Sequence, residues 1–271
     1  MLGMHRAWQA RAAGICLPLM MMLLAGCSGG VSHEEPAAKA GGSRDAWPPE
    51  VRLQGERTAE KAFDLLRESD SMQLSISIRG PRGGAVISVH TDRDGNCTGT
   101  YDMGRMRRGD VIRIAGESAS YVRYTDIALA EMRAEGARRG PAAEAQADER
   151  TALARGKYLK VPATSAAVKN QCDLDKLLSS VPSSGRGAQQ LPAVERDGER
   201  VVPLRGPEGE GNLTMYVAAE GEPYIRFMEG TFRGAEMRVE FSRYGDPVHA
   251  TAPPADKVLE IETGSGGLLD A

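Results

Sequence analysis

Bulky rings are scarce in this chain: Phe, Trp and Tyr together make 5% of its 271 residues. Any core must therefore be built from aliphatic and methionine side chains. Histidine and cysteine are also rare, at four each. Only His90 and His249 lie beyond the N-terminal region, and neither has a Cys, His or carboxylate at ligand spacing, so no metal site and no cofactor are expected. Charge of one sign is missing as well. The 34 basic and 37 acidic residues are interspersed and leave a net charge of -3, which offers no basic stripe to a nucleic acid. No phosphate-binding loop, dinucleotide fingerprint or H-E-x-x-H string is present. Gly26-Cys27-Ser28-Gly29-Gly30 matches G-x-S-x-G in letters only, because that motif needs a strand-to-helix turn. The acid pairs Asp92/Asp94 and Asp173/Asp175 read as turn and cap chemistry rather than as an acid and a base. An enzyme is not expected.

Long apolar runs are limited to one. His5, Arg6 and Arg11 precede Ala12 to Leu24, an apolar stretch short of the ~20 residues that a membrane-spanning helix needs. Leu24-Ala25-Gly26-Cys27 follows directly and resembles the lipobox of bacterial lipoproteins. Residues 1–26 are thus expected to be a signal peptide, and Cys27 the lipidated N-terminus of the mature chain. Each buried CH2 contributes roughly 0.8 kcal/mol, so one acyl chain binds reversibly and two anchor stably. The expected location is the extracytoplasmic face of the cell membrane, with the membrane itself as the first partner.

Residues 27–55 hold the lipid-bearing cysteine and a Gly, Ser, Pro, Ala and charge mixture without apolar periodicity, the composition of a flexible tether with a reach of roughly 25–30 Å. Residues 56–264 form the domain and 265–271 a disordered tail. With Cys16 removed and Cys27 lipidated, Cys97 and Cys172 remain; in an oxidising compartment they read as one disulfide, the alternative being two independent buried thiols. Within the domain, Thr58 as N-cap and Ala59, Ala62, Phe63 and Leu66 predict a helix over 58–68. The pattern then changes to period two: Met72, Leu74, Ile76 and Ile78 alternate with polar residues, and Gly-rich turns lead into 85–89, 97–103, 111–114 and 121–124. Residues 126–155 are Ala, Glu and Arg rich and break at Gly140-Pro141, which suggests two helical pieces or a partly disordered insertion. A short helix over 173–180 precedes strands at 190–195, 200–204, 212–218, 224–228, 236–242 and 248–252. The fold class is α+β, dominated by one large antiparallel sheet.

Five strings occur in this order: Gly95-Asn96-Cys97-Thr98-Gly99, Gly156-Lys157-Tyr158-Leu159-Lys160, Cys172-Asp173-Leu174-Asp175, Phe241-Ser242-Arg243-Tyr244-Gly245-Asp246-Pro247-Val248 and Ala252-Pro253-Pro254-Ala255-Asp256. Together they resemble the actinobacterial lipoproteins of the LppX/LprAFG family, over residues 58–261. The resemblance implies a curved incomplete barrel with helices on its concave face, similar to the lipoprotein carrier LolA, and an apolar cavity that takes the acyl chains of lipids or lipoglycans.

The alternating apolar residues Leu74, Ile76, Ile78, Ile87, Val89, Ile112, Ile114, Met215, Val217, Ile225, Phe227, Val239 and Phe241 are the candidate ligand-binding set. Methionines 72, 103, 106, 132, 215, 228 and 237 supply thioethers that adapt to flexible apolar ligands. A non-catalytic module binding a lipid or another hydrophobe is the first expectation. An adaptor that binds a cell-envelope protein, with 126–155 as its recognition element, is the second.

Overall fold

The computed structural model describes residues 49–260, apart from 82, 180, 182–183, 207–210 and 233. The lipobox with Cys27, the tether up to residue 48 and the C-terminal tail lie outside the described residues. Period-two alternation becomes two long strands, β1 (Ser71–Gly80) and β2 (Gly83–Asp92), paired so that Leu74 faces Val89 and Ile76 faces Ile87. The meander continues through β3 (Cys97–Asp102), β4 (Arg108–Arg113) and β5 (Ala119–Tyr124). Beyond it come β6 (Tyr158–Pro162), β7 (Gln189–Gln190), β8 (Val194–Arg196), β9 (Glu199–Arg205), β10 (Gly211–Ala218), β11 (Ile225–Phe232), β12 (Ala235–Ser242) and β13 (Val258–Glu260). All join one 13-stranded sheet in the order β13-β6-β5-β4-β3-β2-β1-β12-β11-β10-β9-β7, with β8 also on β9. Every pairing is antiparallel except β13 with β6. The two edges do not meet, so the sheet is an open, incomplete barrel.

The antiparallel register gives the sheet two distinct ends. The turns β1–β2, β3–β4, β9–β10 and β11–β12 lie at one, called here the hairpin end. The turns β2–β3, β4–β5, β8–β9 and β10–β11 lie at the other.

Helix α1 (Pro49–Glu68) begins nine residues before the expected start at Thr58 and takes in residues 49–55, which read as tether in the sequence. Thr58 is no cap: its hydroxyl donates to the Gln54 carbonyl at 2.9 Å within the helix. The expected apolar side is the buried one, since Ala59, Ala62, Phe63 and Leu66 pack into the core against the sheet. Gly55 allows the close approach. A Cβ there would stand 2.4 Å from the Ala188 carbonyl oxygen and 2.7 Å from the Gln190 amide nitrogen. Replacing a mid-helix glycine with alanine ordinarily stabilises by about 1 kcal/mol. Gly55→Ala is instead expected to destabilise by about 1–3 kcal/mol, as overpacking does, and urea denaturation reads the sign directly.

Residues 126–155 form two helices, α2 (Asp126–Arg139) and α3 (Pro141–Ala154), with Thr125 accepting the Ala128 amide at 3.2 Å as N-cap and Gly140 at φ 110° between them. Two short helices, α4 (Ala166–Cys172) and α5 (Leu174–Ser179), complete the layer over the sheet. The expected strand over 248–252 is not formed; Pro247, Pro253 and Pro254 bracket it and withhold ladder donors. The expected strand over 190–195 is divided into β7 and β8, two short pieces along the same edge of β9. Cys97 and Cys172 form a disulfide, with Cα atoms 5.5 Å apart, which ties the end of α4 to the start of β3. Beside it Thr91 donates to the Cys172 carbonyl at 3.0 Å.

Candidate functional site: the inner face of the sheet

One face of the sheet carries the helices, and the register decides which residues stand on it. From Leu74 the pairing runs to Val89 and then Gly99 on one side and to Phe241 on the other. From Ile76 it runs to Ile87 and Tyr101, and to Val239 and Met228. Beyond these, Met215 faces Met228 and Val217 faces Ile225. Ten of the thirteen candidate residues therefore share the inner face: Leu74, Ile76, Ile78, Ile87, Val89, Met215, Val217, Ile225, Val239 and Phe241.

The other three do not. Gly99 pairs with Val111, so Val111 is the inward residue of β4; Ile112 stands on the outer face, and Ile114 lies past the end of β4, outside the paired register. Phe227 is turned outward by a bulge. Tyr216 pairs with Phe227 but Val217 pairs with Ile225, leaving Arg226 as the extra residue, so Ile225 and Phe227 face opposite sides despite their i, i+2 spacing. Outside, the Phe227 ring stacks on Tyr216 at 4.3 Å and lies beneath the Arg238 guanidinium at 4.1 Å. Arg238 reaches Glu229 at 2.8 Å, Glu240 at 2.6 Å and Asp197 at 2.5 Å, which closes a charged cover over the ring. Burial works against its charge, but Glu240 and Asp197 hold the guanidinium pKa above its ordinary value.

The inner face has two halves. In one, α1, α4 and α5 seal the sheet: Met72, Leu74, Val89, Val217, Ile225 and Phe241 pack with Phe63, Leu66, Val168 and Leu174, none more than 5% exposed. Toward the hairpin end the cover thins. Ile76, Ile78, Ile87, Met103 and Met237 are only half-buried and form a continuous apolar strip, since Ile78 faces Met237 and Ile76 faces Ile87. Tyr101 borders it, its ring beside the Cβ-less Gly109; burial, with Asp110 nearby, pushes its pKa up to about 12. The Met103 sulfur accepts from Arg107 Nη2 at 3.1 Å and Gln171 Nε2 at 3.9 Å, while the buried Gln171 Oε1 has no protein partner.

Three depressions border this arrangement. Phe63, Leu66, Leu178 and Val181 floor a groove of about 350 Å³ between α1 and α5, rimmed by Arg67, Arg93 and Asp175. Met106, Met132, Gly136, Ala143, Ala147 and Thr151 line a smaller one of about 110 Å³ between α2 and α3. A third, of about 370 Å³, lies on the outer face along Ser77, Arg79, Glu236 and Arg238. All three open to solvent. Among the described residues no group of three or more His, Cys, Asp or Glu is placed to hold a metal, and no helix is long and apolar enough to cross a membrane.

Tyr101 and Gln171 are the residues that sequence reasoning missed. Gly99 and Gly109, which leave room on the inner face around Tyr101, were the available signal for the ring. Nothing local signals Gln171, whose surroundings come from α4 docking across β2 and β4.

No family model and no curated protein matches this sequence. Solved structures resemble it at low identity. LprF from Mycobacterium bovis is 12% identical, with a TM-score of 0.49, over 74% of this chain and 97% of that one. The Mycobacterium tuberculosis lipoprotein LppX is 10% identical, with a TM-score of 0.34, over 73% and 99%. The Pseudomonas aeruginosa MucA/MucB complex is 11% identical, with a TM-score of 0.30, over 75% and 59%. At these identities and TM-scores the likeness carries nothing to any individual side chain.

Proposed function

We propose that this protein is a non-catalytic, extracytoplasmic binding module, held to the membrane by a lipidated Cys27, that seats a flexible hydrophobic ligand on the apolar strip at the hairpin end of its inner sheet face. The partly buried run of Ile76, Ile78, Ile87, Met103 and Met237 carries this reading. Such a strip is adaptable: three branched aliphatic side chains give a dry surface, and two thioethers accommodate ligand shape at little cost. An acyl chain needs only contact area, at about 25 cal/mol per Å² covered.

A second reading rests on the sealed half. With Leu74, Val89, Val217 and Ile225 at or below 1% exposure, an acyl chain has no path deeper along the sheet. The occupant of the strip would then be the apolar side chains of an envelope protein, and this module an adaptor.

Two adjacent residues test both. Ile87 faces the strip, whereas Val86, 52% exposed, faces outward. Ile87→Glu is expected to lower lipid retained after purification from membranes roughly tenfold or more, the effect of losing one large aliphatic contact and gaining a desolvated charge. Val86→Glu should retain wild-type amounts. Native mass spectrometry and lipid extraction read both. Wild-type protein that is empty as isolated and ignores added lipid would exclude the hydrophobe reading; a protein partner lost on Ile87→Glu alone would establish the adaptor.

A further inference from the structure

The half-covered strip is not the only feature at the hairpin end. Helix α1 runs from that end toward the other. Its residue 55 abuts Gln190, which pairs with Leu204 near the end of β9, whereas the Arg67 carbonyl accepts from Arg93 beyond β2 at the far end. Pro49, where the chain from Cys27 enters the domain, therefore lies at the hairpin end. Only 21 residues separate it from Cys27.

Charge divides the same way. Arg79, Arg105, Arg107 and Arg205 stand exposed at the hairpin end, and none makes an ion pair among the described residues. Among the described carboxylates there, Arg108 holds Asp102 at 2.8 Å and Glu131 at 3.1 Å and Arg155 faces Asp126, while Glu50 at the start of α1 is exposed and Glu236 stands opposite Arg79; Glu208 and Glu210, between β9 and β10 in sequence, lie outside the described residues. Residues 126–155 add six carboxylates against five guanidiniums and so no net positive charge. The opposite end exposes Asp70, Asp94, Glu117 and Glu220 and, of the arginines, Arg200; Arg93 and Arg243, also exposed there, are paired with Asp175 and Asp246. Pro81 puts apolar surface on the first hairpin tip.

From this placement we infer that the hairpin end is a docking surface for an anionic phospholipid bilayer, so that the domain stands with its apolar strip opening toward the membrane and its acidic end away from it. The inference rests on the Cys27 anchor of the proposed function. Guanidiniums on the tips pair with lipid phosphates, Pro81 enters the headgroup layer, and the entry of α1 at the same end lets the tether be short. A ligand chain could then pass between the bilayer and the strip without crossing water.

The test uses the full lipidated protein in vesicles of phosphatidylcholine with or without phosphatidylglycerol, the headgroups bearing a nitroxide quencher. A fluorophore is attached at Pro81→Cys on the hairpin tip or at Glu220→Cys on the opposite end. Quenching at the tip should exceed that at the opposite end by roughly fivefold in phosphatidylglycerol vesicles, and should fall toward the opposite-end level in 1 M salt, where the screening length shrinks to about 3 Å. The variant Arg79→Glu, Arg105→Glu, Arg205→Glu should stay on the vesicles through its anchor and lose the difference. Equal quenching at both ends, or a tip signal that survives charge reversal, overturns the docking inference alone. Wild-type protein that does not attach to vesicles at all overturns the anchor, and the docking surface with it.

Discussion

Removing the Cys97–Cys172 bridge is expected to lower stability by about 4 kcal/mol, the loop-closure entropy returned to an unfolded chain cross-linked across 75 residues. For a domain of this size, each kcal/mol moves the melting temperature by about 2–4 °C, so the midpoint should fall by roughly 8–16 °C. Calorimetry on the Cys97→Ala/Cys172→Ala variant measures it. The bridge is also local in its work, since it clamps α4 onto the β2–β3 corner where Thr91 bonds the Cys172 carbonyl. The double variant should therefore loosen α4 before the rest of the sheet, and hydrogen exchange at 166–172 should rise ahead of that in β1. A shift below about 2 °C would mean that the reduced, unfolded chain is already held together near these two residues.

Phe241→Ala is expected to cost about 3–5 kcal/mol, the largest effect of a single truncation here. Phe241 is 2% exposed and stands opposite Leu74 at the centre of the sealed half, within the cluster that includes Phe63 and Leu66 of α1. With 4 Phe in the chain, few large groups are available to close around the gap. Phe241→Leu should cost only about 1 kcal/mol, because most of the volume remains. Urea unfolding gives both values. If the two variants were equally stable, the sealed half could collapse onto the vacancy, and the contrast between the two halves of the inner face would weaken.

Strand identity was legible because solvent and core alternate along β1: Met72, Leu74, Ile76 and Ile78 point one way and Gln73, Ser75 and Ser77 the other. The resulting α+β class with one large sheet is what the structure has. The apolar side of α1 was legible for the same reason, at a helical period. Its start was not, because residues 49–57 pack by way of a glycine against Ala188 and Gln190, far away in sequence. The short strands β6 and β13 carry too few alternating residues to announce themselves, and they form because each borrows backbone partners from a neighbour.

The candidate site shows where local pattern stops. Within one strand, parity sorts residues into two sets, and Ile76, Ile78, Ile87 and Val89 were sorted correctly relative to their own neighbours. Parity says nothing about how the sets of different strands match. Ile112 differs from Ile76 only in the register of β4 on β3, where Val111 meets Gly99 and takes the inward place. For Phe227 even parity within the strand fails, because the bulge at Arg226 reverses the alternation between Ile225 and Phe227.

Short-range physics accounts for what was legible along the chain: the alternation that makes strands, the breakers that end them, the scarcity of aromatic residues that leaves an aliphatic core, and the leader and Cys27 string from which an anchor is expected. The rest depends on elements meeting across long stretches of chain. The register chose which apolar residues face the helices. The length and placement of α1, α4 and α5 sealed one half of that face and left Ile76, Ile78, Ile87, Met103 and Met237 half-covered. The pairing order brought four arginines and the start of α1 to the same end. None of these is a property of a local segment, because each arises from backbone hydrogen bonds and side-chain packing between residues that the chain itself holds far apart.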